Sequence, residues 1–378
     1  MSGARDRERH ARLLLNLVGE PGDPRLTALV AELGAAEVVD ALRSRSAGVL
    51  GDSLAERLRS ARPADVLRAA ERQGIRFVAP ADDEWPVSLD DLRHAPLLHD
   101  RGGVPVGLWV KGALRLDEVC RVAVAVVGAR SATQYGTGVA GEIGATVAER
   151  GCAAVSGAAF GIDQAAHRGA LAVRGPTVAV LACGVDRAYP SAHRELLGYV
   201  ADVGLLVSEA APGWAPTKIR FLARNRLIAA LTTGTVVVEA AVRSGALNTA
   251  NWADGLGRVV MGVPGPVTSP TSQGVHQLIR SRNALLVTSG AEVLEVVGPS
   301  GQHTVDALHE PPSVRDLLTA EQRQVLDAVP LTRPAAPRSI ARTAGLSVAA
   351  VEAALPELLD RGLVESGNDR WRVSAPPA

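Results

Sequence analysis

The fold of this chain is decided by the stretch VAVAVVGAR at residues 122–130. Its run of small and β-branched apolar residues favours a strand that is buried on both faces, and the glycine that follows ends it. Helical periodicity then extends from Gly136 to Arg150. A buried strand followed by a helix is the repeating unit of an α/β protein with a parallel sheet.

The same unit recurs as far as Val263. The apolar runs predict strands at Val122–Val127, Ala153–Ser156, Thr177–Leu181, Leu205–Val207, Thr235–Val238 and Val259–Val263. Helices are predicted between them at Gly136–Arg150, Asp163–Arg174, Ser191–Asp202, Phe221–Leu231 and Ala246–Gly257. This alternation predicts a Rossmann-like, doubly wound parallel sheet.

The segments on either side of this region have different patterns of apolar residues, glycine and proline. Leucine and valine at helical spacing predict a small N-terminal helical domain over residues 1–75, and the Rossmann-like domain then covers residues 76–297. Residues 298–313 carry glycine and proline with little apolar pattern and predict a linker. Three helical patterns and a hairpin predict a winged-helix domain over residues 314–378, in which Pro356 should kink or shorten the third helix.

Composition narrows the functional classes. The 40 basic and 40 acidic residues cancel, so any contact with nucleic acid must rest on a local basic track. The three cysteines include no C-x-x-C pair, which argues against a disulfide framework and a zinc site. We find no signal peptide and no apolar run of the ~18 residues that a membrane span requires. We therefore expect a cytoplasmic protein without membrane contact.

The segments that follow the predicted strands indicate where a ligand binds. In open parallel sheets, ligands bind beyond the carboxyl ends of the strands. These segments are rich in small residues, which let the backbone approach a ligand, and they include Arg130, whose guanidinium suits phosphate. A single glycine-rich turn is equally consistent with ordinary turn chemistry. Several such turns meeting at one edge, with Arg130 among them, favour an anion site.

The segment Pro212–Arg226 is basic and contains one aromatic residue. Its side chains include Lys218, Arg220, Phe221, Arg224 and Arg226. Single-stranded nucleic acid is bound by charges that follow phosphates and by rings that stack bases. The residues alone leave two alternatives open, a solvated basic loop and a core position for Phe221.

The signals for an enzyme are weaker. The G-x-G-x-x-G pattern at residues 136–141 begins well after its strand, whereas dinucleotide binding requires it in the tight turn. Asp163 and His167 lie one helical turn apart, which fits a capping pair better than an acid–base pair. No set of nucleophile, base and orienting group can be assembled, and no cofactor or metal is predicted.

The same strand-end segments resemble the DNA-processing protein A (DprA/Smf) family. Residues 128–136 resemble its G-[SA]-R-x-x-T-x-Y-G motif, and residues 156–167 resemble S-G-x-A-x-G-I-D-x-x-A-H. Residues 184–190 fit G-x-D-x-x-Y-P, and residues 208–228 fit S-E…F-x-x-R-N-R-x-I. The ordered set of motifs spans nearly the whole stretch from Trp85 to Val297. Family members often carry flanking domains of the two kinds predicted above, the N-terminal one being SAM- or HhH-like.

The resemblance implies a recombination mediator that is not an enzyme. Such a protein binds and protects single-stranded DNA, loads the recombinase RecA and supports natural transformation. Carried over by motif, Arg130 and Lys218 should hold phosphate, Phe221 should stack a base, and Gly157–Gly161 should form a backbone pocket. The expected DNA-binding residues are Arg130, Ser131, Thr133, Ser156, Gly157, Ala158, Phe160, Gly161, Lys218, Arg220, Phe221, Arg224, Asn225, Arg226, Ser244 and Gly245.

The resemblance also implies a homodimer formed through the late Rossmann-like region. The expected interface residues are His276, Leu278, Ile279 and Leu285. Arg282-Asn283-Ala284 stands where the family usually has Gly-Ala, a departure that bears on this surface. Departures at Ala210-Ala211 and Asn248 remove no basic residue of the DNA track.

A nucleotide phosphoribohydrolase of the lysine-decarboxylase-like type is the alternative. Its P-G-G-x-G-T-x-x-E motif supplies a catalytic glutamate, and residues 233–239, which end in Glu239, match it only in part because the paired glycines are missing.

The predicted winged helix does not have the character of a sequence reader. Its acidic and basic residues balance, and Ser347–Leu359, its expected recognition helix, contains no Arg, Lys, Asn or Gln. We expect a protein-contact or regulatory module.

Overall fold

The computed structural model of the chain describes residues 2–44, 51–281, 284–298 and 314–374. The chain divides into two compact units, Met1–Val305 and Asp306–Ala378. Most of the expected linker 298–313 lies outside the described residues, as do Arg282 and Asn283.

A nine-stranded sheet organises the first unit. Its strands are β1 (Ile75–Val78), β2 (Leu108–Lys111), β3 (Ala123–Val127), β4 (Ala153–Ser156), β5 (Thr177–Leu181), β6 (Leu205–Ser208), β7 (Gly234–Val237), β8 (Val259–Gly262) and β9 (Leu285–Leu286). Their order is β1-β2-β6-β5-β4-β3-β7-β8-β9, with β3 to β9 parallel and β1 and β2 antiparallel at one edge. The predicted α/β fold with a mostly parallel sheet is confirmed, and each of the six predicted strands is present.

Both faces of the sheet are covered, which explains the continuous apolar runs of the strands. In β3, Ala123, Ala125 and Val127 pack on one side with residues 227–231, whereas Val124 and Val126 pack on the other with Ile143. Strands buried on both faces carry no alternation of polar and apolar residues.

Helices follow the strands as the periodicity predicts. They are α6 (Leu116–Val119), α7 (Gln134–Glu149), α8 (Ile162–Ala172), α9 (Arg194–Val203), α10 (Lys218–Ala230), α11 (Gly245–Gly255), α12 (Pro270–Ser281) and α13 (Gly290–Val297). In the described part of this unit, 3₁₀ turns lie at Val87–Arg93 and Ser191–His193. Within the described part of the chain, no helix is both long enough and apolar enough to cross a bilayer.

Within the described residues, five helices precede the sheet, and the first and the fifth of them pack against it. They are α1 (Ser2–Val18), α2 (Pro24–Leu33), α3 (Ala35–Arg43), α4 (Gly51–Ser60) and α5 (Pro63–Glu71). Leu13 shares a core with Ile75 and Trp109, and the Asn16 amide donates hydrogen bonds to the Gly107 and Glu209 carbonyls. These helices therefore belong to the same compact unit as the sheet, and their assignment as a SAM- or HhH-like domain stays a prediction.

The described residues of the second unit, 314–374, contain three helices and a hairpin. They are α14 (Ala320–Ala328), α15 (Pro337–Ala344), α16 (Val348–Asp360), β10 (Val364–Gly367) and β11 (Arg370–Val373). Of the two expected effects of Pro356, shortening of the third helix is wrong, because α16 continues to Asp360, and a kink stays a prediction. Burial of Val351, Leu355 and Leu358 in the core of this unit offsets the one helical hydrogen bond that proline cannot donate.

Candidate nucleic-acid interface

A cavity of about 600 Å³ opens beyond the carboxyl end of β3. The strand order reverses between β3 and β7, and ligands of doubly wound sheets bind at such a reversal. Residues from the segments after β3 and β7 and from α10 line it. Seven of the expected DNA-binding residues are among them: Arg130, Lys218, Phe221, Arg224, Asn225, Ser244 and Gly245.

Helix α10 presents one face to this cavity. The segment expected to be a loop up to Phe221 is already helical from Lys218, because the Thr217 hydroxyl accepts a hydrogen bond from the Arg220 amide and caps the helix. Lys218, Phe221 and Asn225 are spaced by three and four residues and share the cavity face. Helical geometry turns Arg220 and Arg226 to the opposite side.

Arg226 does not contact the cavity, so its expected role in DNA binding is corrected. Its side chain is 0% exposed and forms a bidentate ion pair with Glu209 at 2.7 and 2.8 Å. Its Nε also donates to the Gly103 carbonyl. A guanidinium enclosed in this way has no donor for a phosphate, and we assign Arg226 to the packing of α10 against the N-terminal segment.

Arg220 is also already occupied. Its guanidinium pairs with Glu20 at 2.9 Å, lies 4.2 Å from the centre of the Trp214 ring and donates to the Ala215 carbonyl. The expected phosphate contact of Arg220 is therefore corrected too, because Glu20 already neutralises its charge.

Arg224 lines the cavity and is hydrogen-bonded to the backbone around it. Its Nη1 donates to the Gly157 and Val180 carbonyls at 2.8 and 2.6 Å, and its Nε donates to Asn225 Oδ1. Burial lowers the pKa of Arg224 to about 10, so the group stays cationic at neutral pH. Arg224 thus contributes positive potential, but its donors are largely used within the protein.

The loop after β4 is shaped by Asp163. The Asp163 carboxylate accepts hydrogen bonds from the amides of Gly157 and Ala159, and burial raises its pKa while the charge of Arg224 opposes this shift. A Cβ on Gly157 would lie 2.1 Å from the Arg224 guanidinium, so a larger residue there would displace Arg224 from its hydrogen bonds. The amides of Gly157 and Ala159 are already bonded to Asp163, so these two groups of the expected backbone pocket are not free donors for a ligand.

Other expected residues lie away from the cavity. Ser156 is buried and donates to the Val126 carbonyl, and Gly157 and Ala158 are buried as well. Their expected direct contact with DNA is corrected, because interior atoms cannot reach a strand. Ser131, Phe160 and Gly161 line a separate groove next to the cavity.

Thr133 and Glu239 form a structural contact. The Thr133 amide and hydroxyl donate to the Glu239 carboxylate at 2.8 and 2.6 Å, and the Thr271 hydroxyl donates to it at 3.2 Å. Thr133 also caps α7. Glu239, the glutamate of the hydrolase alternative, is not among the residues that line the cavity.

Rings and cations meet at the cavity mouth. The guanidinium of Arg130 lies 5.1 Å from the centre of the Phe221 ring, and that ring lies 5.7 Å from the ring of Tyr189. Arg130 and Lys218 are exposed. Tyr189 is absent from the expected set, although its place in the segment that follows β5, next to the G-x-D-x-x-Y-P motif's proline, is a signal that could have found it.

The expected dimer residues divide into two groups. Leu285 is 47% exposed on the edge strand β9, next to exposed Leu286. The expected place of Leu278 in the dimer interface is corrected, because Leu278 is buried in the core of its own unit, where Ile279 packs against the same core. The His276 ring is bonded to the Gly265 carbonyl.

The fold and the cavity together define an α/β protein with a basic and aromatic ligand cavity at the point where the order of a mostly parallel sheet reverses. Residues 76–298 match the family described as DNA recombination-mediator protein A, and the chain belongs to this family. The family membership indicated by the motifs is thereby confirmed.

Related proteins extend this match beyond the family region. The chain is 45% identical over 369 residues to the putative DNA processing protein DprA of Mycobacterium tuberculosis, covering 95% of this chain and 92% of the relative. It is 40% identical over 213 residues to the DNA processing protein DprA of Streptococcus pneumoniae, covering 56% of this chain and 71% of the relative.

Two solved structures have the same fold. The X-ray structure of DprA from Streptococcus pneumoniae aligns with a TM-score of 0.63 and 34% identity, covering 75% of this chain and 96% of that one. A structure of DprA from Helicobacter pylori, described in terms of its single-stranded DNA binding mode, aligns with a TM-score of 0.50 and 25% identity, covering 58% and 94%. DNA processing and recombination mediation are thus the functional class of the family to which this chain belongs.

Proposed function

We propose that this protein binds single-stranded DNA in the cavity and presents the strand for recombination. Arg130 and Lys218 hold phosphates, Phe221 stacks a base, and Arg224, Asn225, Ser244 and Gly245 line the path. The site reads backbone and base faces, so it binds without sequence preference.

One observation carries the proposal. Exposed Arg130 and Lys218 flank the Phe221 ring at the mouth of the cavity, without an ion-pair partner among the described residues. Asp163 is the one carboxylate of the described residues that lines the cavity, and the charge of Arg224 lies close to it. The combination suits a polyanion that carries flat bases, which is what single-stranded nucleic acid offers.

The finer roles follow from family membership and are part of the proposal. The bound strand is protected and passed to the recombinase RecA, in DNA uptake during transformation, in the cytoplasm and without catalysis. The protein acts as a homodimer through the edge that contains Leu285 and Leu286. The second unit is a winged helix that contacts protein rather than reading base sequence.

Binding of fluorescent oligo-dT, followed by anisotropy at several salt concentrations, tests the proposal. Arg130→Ala and Lys218→Ala should each weaken binding to all sequences alike. Arg121→Ala is the matched control, because exposed Arg121 precedes β3 at the opposite edge of the sheet. Wild-type affinity in both cavity variants would refute the site, and release of base from a nucleoside monophosphate would favour the hydrolase instead.

A further inference from the structure

A second groove, of about 870 Å³, lies beside the cavity between the N-terminal ends of α7 and α8. We call it the α7–α8 groove and define it by Arg130, Ser131, Gly138, Phe160, Gln164 and Arg168. The two helices pack backbone to backbone further along, where a Cβ on Gly144 would lie 2.3 Å from the Ala166 carbonyl oxygen. Toward the N-termini the space widens, and a Cβ on Gly138 would meet no atom within 4 Å.

The charges of this groove have one sign. Arg130 and Arg168 are exposed and form no ion pair within the described part of the chain. No carboxylate of a described residue lines the groove. Two free guanidiniums in an open groove attract an anion with spaced charges.

An aromatic ring is exposed in the same groove. Phe160 is 46% exposed, and its ring makes an edge contact with the His193 ring at 4.6 Å. An exposed ring next to unpaired cations is the pairing that single-stranded nucleic acid requires, whereas a duplex would offer no free base face to stack on it.

We propose that the α7–α8 groove is a second subsite for the strand that enters the cavity. Arg130 lines both the cavity and the groove, so a strand that leaves the cavity passes this guanidinium and continues along the groove. Arg168 holds a further phosphate and Phe160 stacks a further base. The proposal rests on the proposed function of the cavity and extends it to several more nucleotides.

Substitution at Gly138 provides the test, because added side chains at this position have room. Glycine is also a poor helix former, so its replacement within α7 should not lower the melting temperature. We compare Gly138→Glu, Gly138→Lys and the neutral Gly138→Gln for binding to dT4 and dT15. Relative to Gly138→Gln, we expect dT15 to bind about 5-fold more weakly to Gly138→Glu and about 5-fold more tightly to Gly138→Lys, as for a unit charge ~4 Å from a phosphate in water. Binding of dT4, which we expect to be too short to reach the groove from the cavity, should not change.

Arg168→Ala should likewise weaken dT15 and leave dT4 unchanged, and Arg150→Ala, at the exposed C-terminal end of α7, is its control. Equal affinity of the Gly138→Glu and Gly138→Lys variants for dT15 would overturn the groove. Equal changes in affinity for dT4 and dT15 would also overturn it, because the introduced charge would then act electrostatically on DNA in the cavity rather than on DNA in the groove. Lys218→Ala should weaken both oligonucleotides. If it does and the groove variants have no effect, the cavity stands and only the second subsite fails.

Discussion

Replacement of Lys218 by alanine should reduce the salt dependence of DNA binding by about half. Lys218 is the first residue of α10, exposed at the cavity mouth and without an ion-pair partner among the described residues. Arg130 is the other exposed cation of the cavity, whereas Arg224 already donates to two carbonyls. Two cations are thus available to neutralise phosphates of a short strand.

The magnitude follows from counterion release. For single strands the logarithm of affinity changes with the logarithm of salt concentration by about −0.7 per neutralised phosphate. Two contacts give a slope of about −1.4, and affinity for dT4 should fall about 7-fold between 50 and 200 mM salt. In Lys218→Ala the slope should be about −0.7 and the loss about 2.6-fold.

Arg220→Ala is the contrasting variant, because Arg220 lies on the same helix but is paired with Glu20. Fluorescence anisotropy titrations at four salt concentrations measure both slopes. Arg220→Ala should keep the wild-type slope. If Lys218→Ala keeps that slope and Arg220→Ala lowers it, the assignment of the helix faces is refuted.

Four further results are expected. Phe221→Ala should weaken oligo-dT binding by ~1–3 kcal/mol while Phe221→Trp binds normally, and a lowered melting temperature with equal losses in both would show Phe221 to be a core residue. Leu285→Arg should give monomers in sedimentation velocity, and an unchanged dimer would place the interface elsewhere. Deletion of residues 313–378 should leave the affinity for oligo-dT within about three-fold of that of the full chain. The reason is that the cavity lies in the first unit, and that a DNA-reading module is normally basic whereas this segment is not. Sequence-specific duplex binding by the isolated segment would contradict this. Burial lowers the pKa of His167 from 6.5 to about 3. Between these two pH values His167 is protonated in the unfolded chain and neutral in the native state, so the free energy of unfolding should fall as the pH drops from 6.5 toward 3. Urea titrations of wild type and His167→Gln should show a shallower fall in the variant, and identical slopes would exclude His167 as the cause.

The strands of the parallel sheet could be predicted because burial on both faces leaves a continuous apolar run in the sequence. Ala153–Ser156 and Thr177–Leu181 have the predicted bounds. The antiparallel pairing of β2 with β6 could not be predicted, because it depends on contacts between residues distant in sequence. β9 has two residues, too few for any periodicity.

The cations of the site could be found from the sequence, but their partners could not. Lys218 and Arg220 are both basic and lie two positions apart in the same segment, so the sequence does not distinguish them. In the structure Arg220 is bonded to Glu20, 200 positions away in the chain. Arg226 is neutralised by Glu209, which lies at the end of a strand. Which cation remains free is therefore a property of the tertiary structure. The two faces of α10 could have been separated from the sequence only if the helix had been predicted to begin at Lys218.

Crosslinking of bound DNA tests directly whether single strands occupy the cavity beyond β3. An oligo-dT carrying photoreactive 5-iodouracil, bound to the full chain and irradiated, forms covalent links to nearby rings that mass spectrometry can map to single residues. We expect links to Phe221 and Tyr189, at the mouth of the cavity. Links confined to residues 314–374, or to residues at the opposite edge of the sheet, would contradict it.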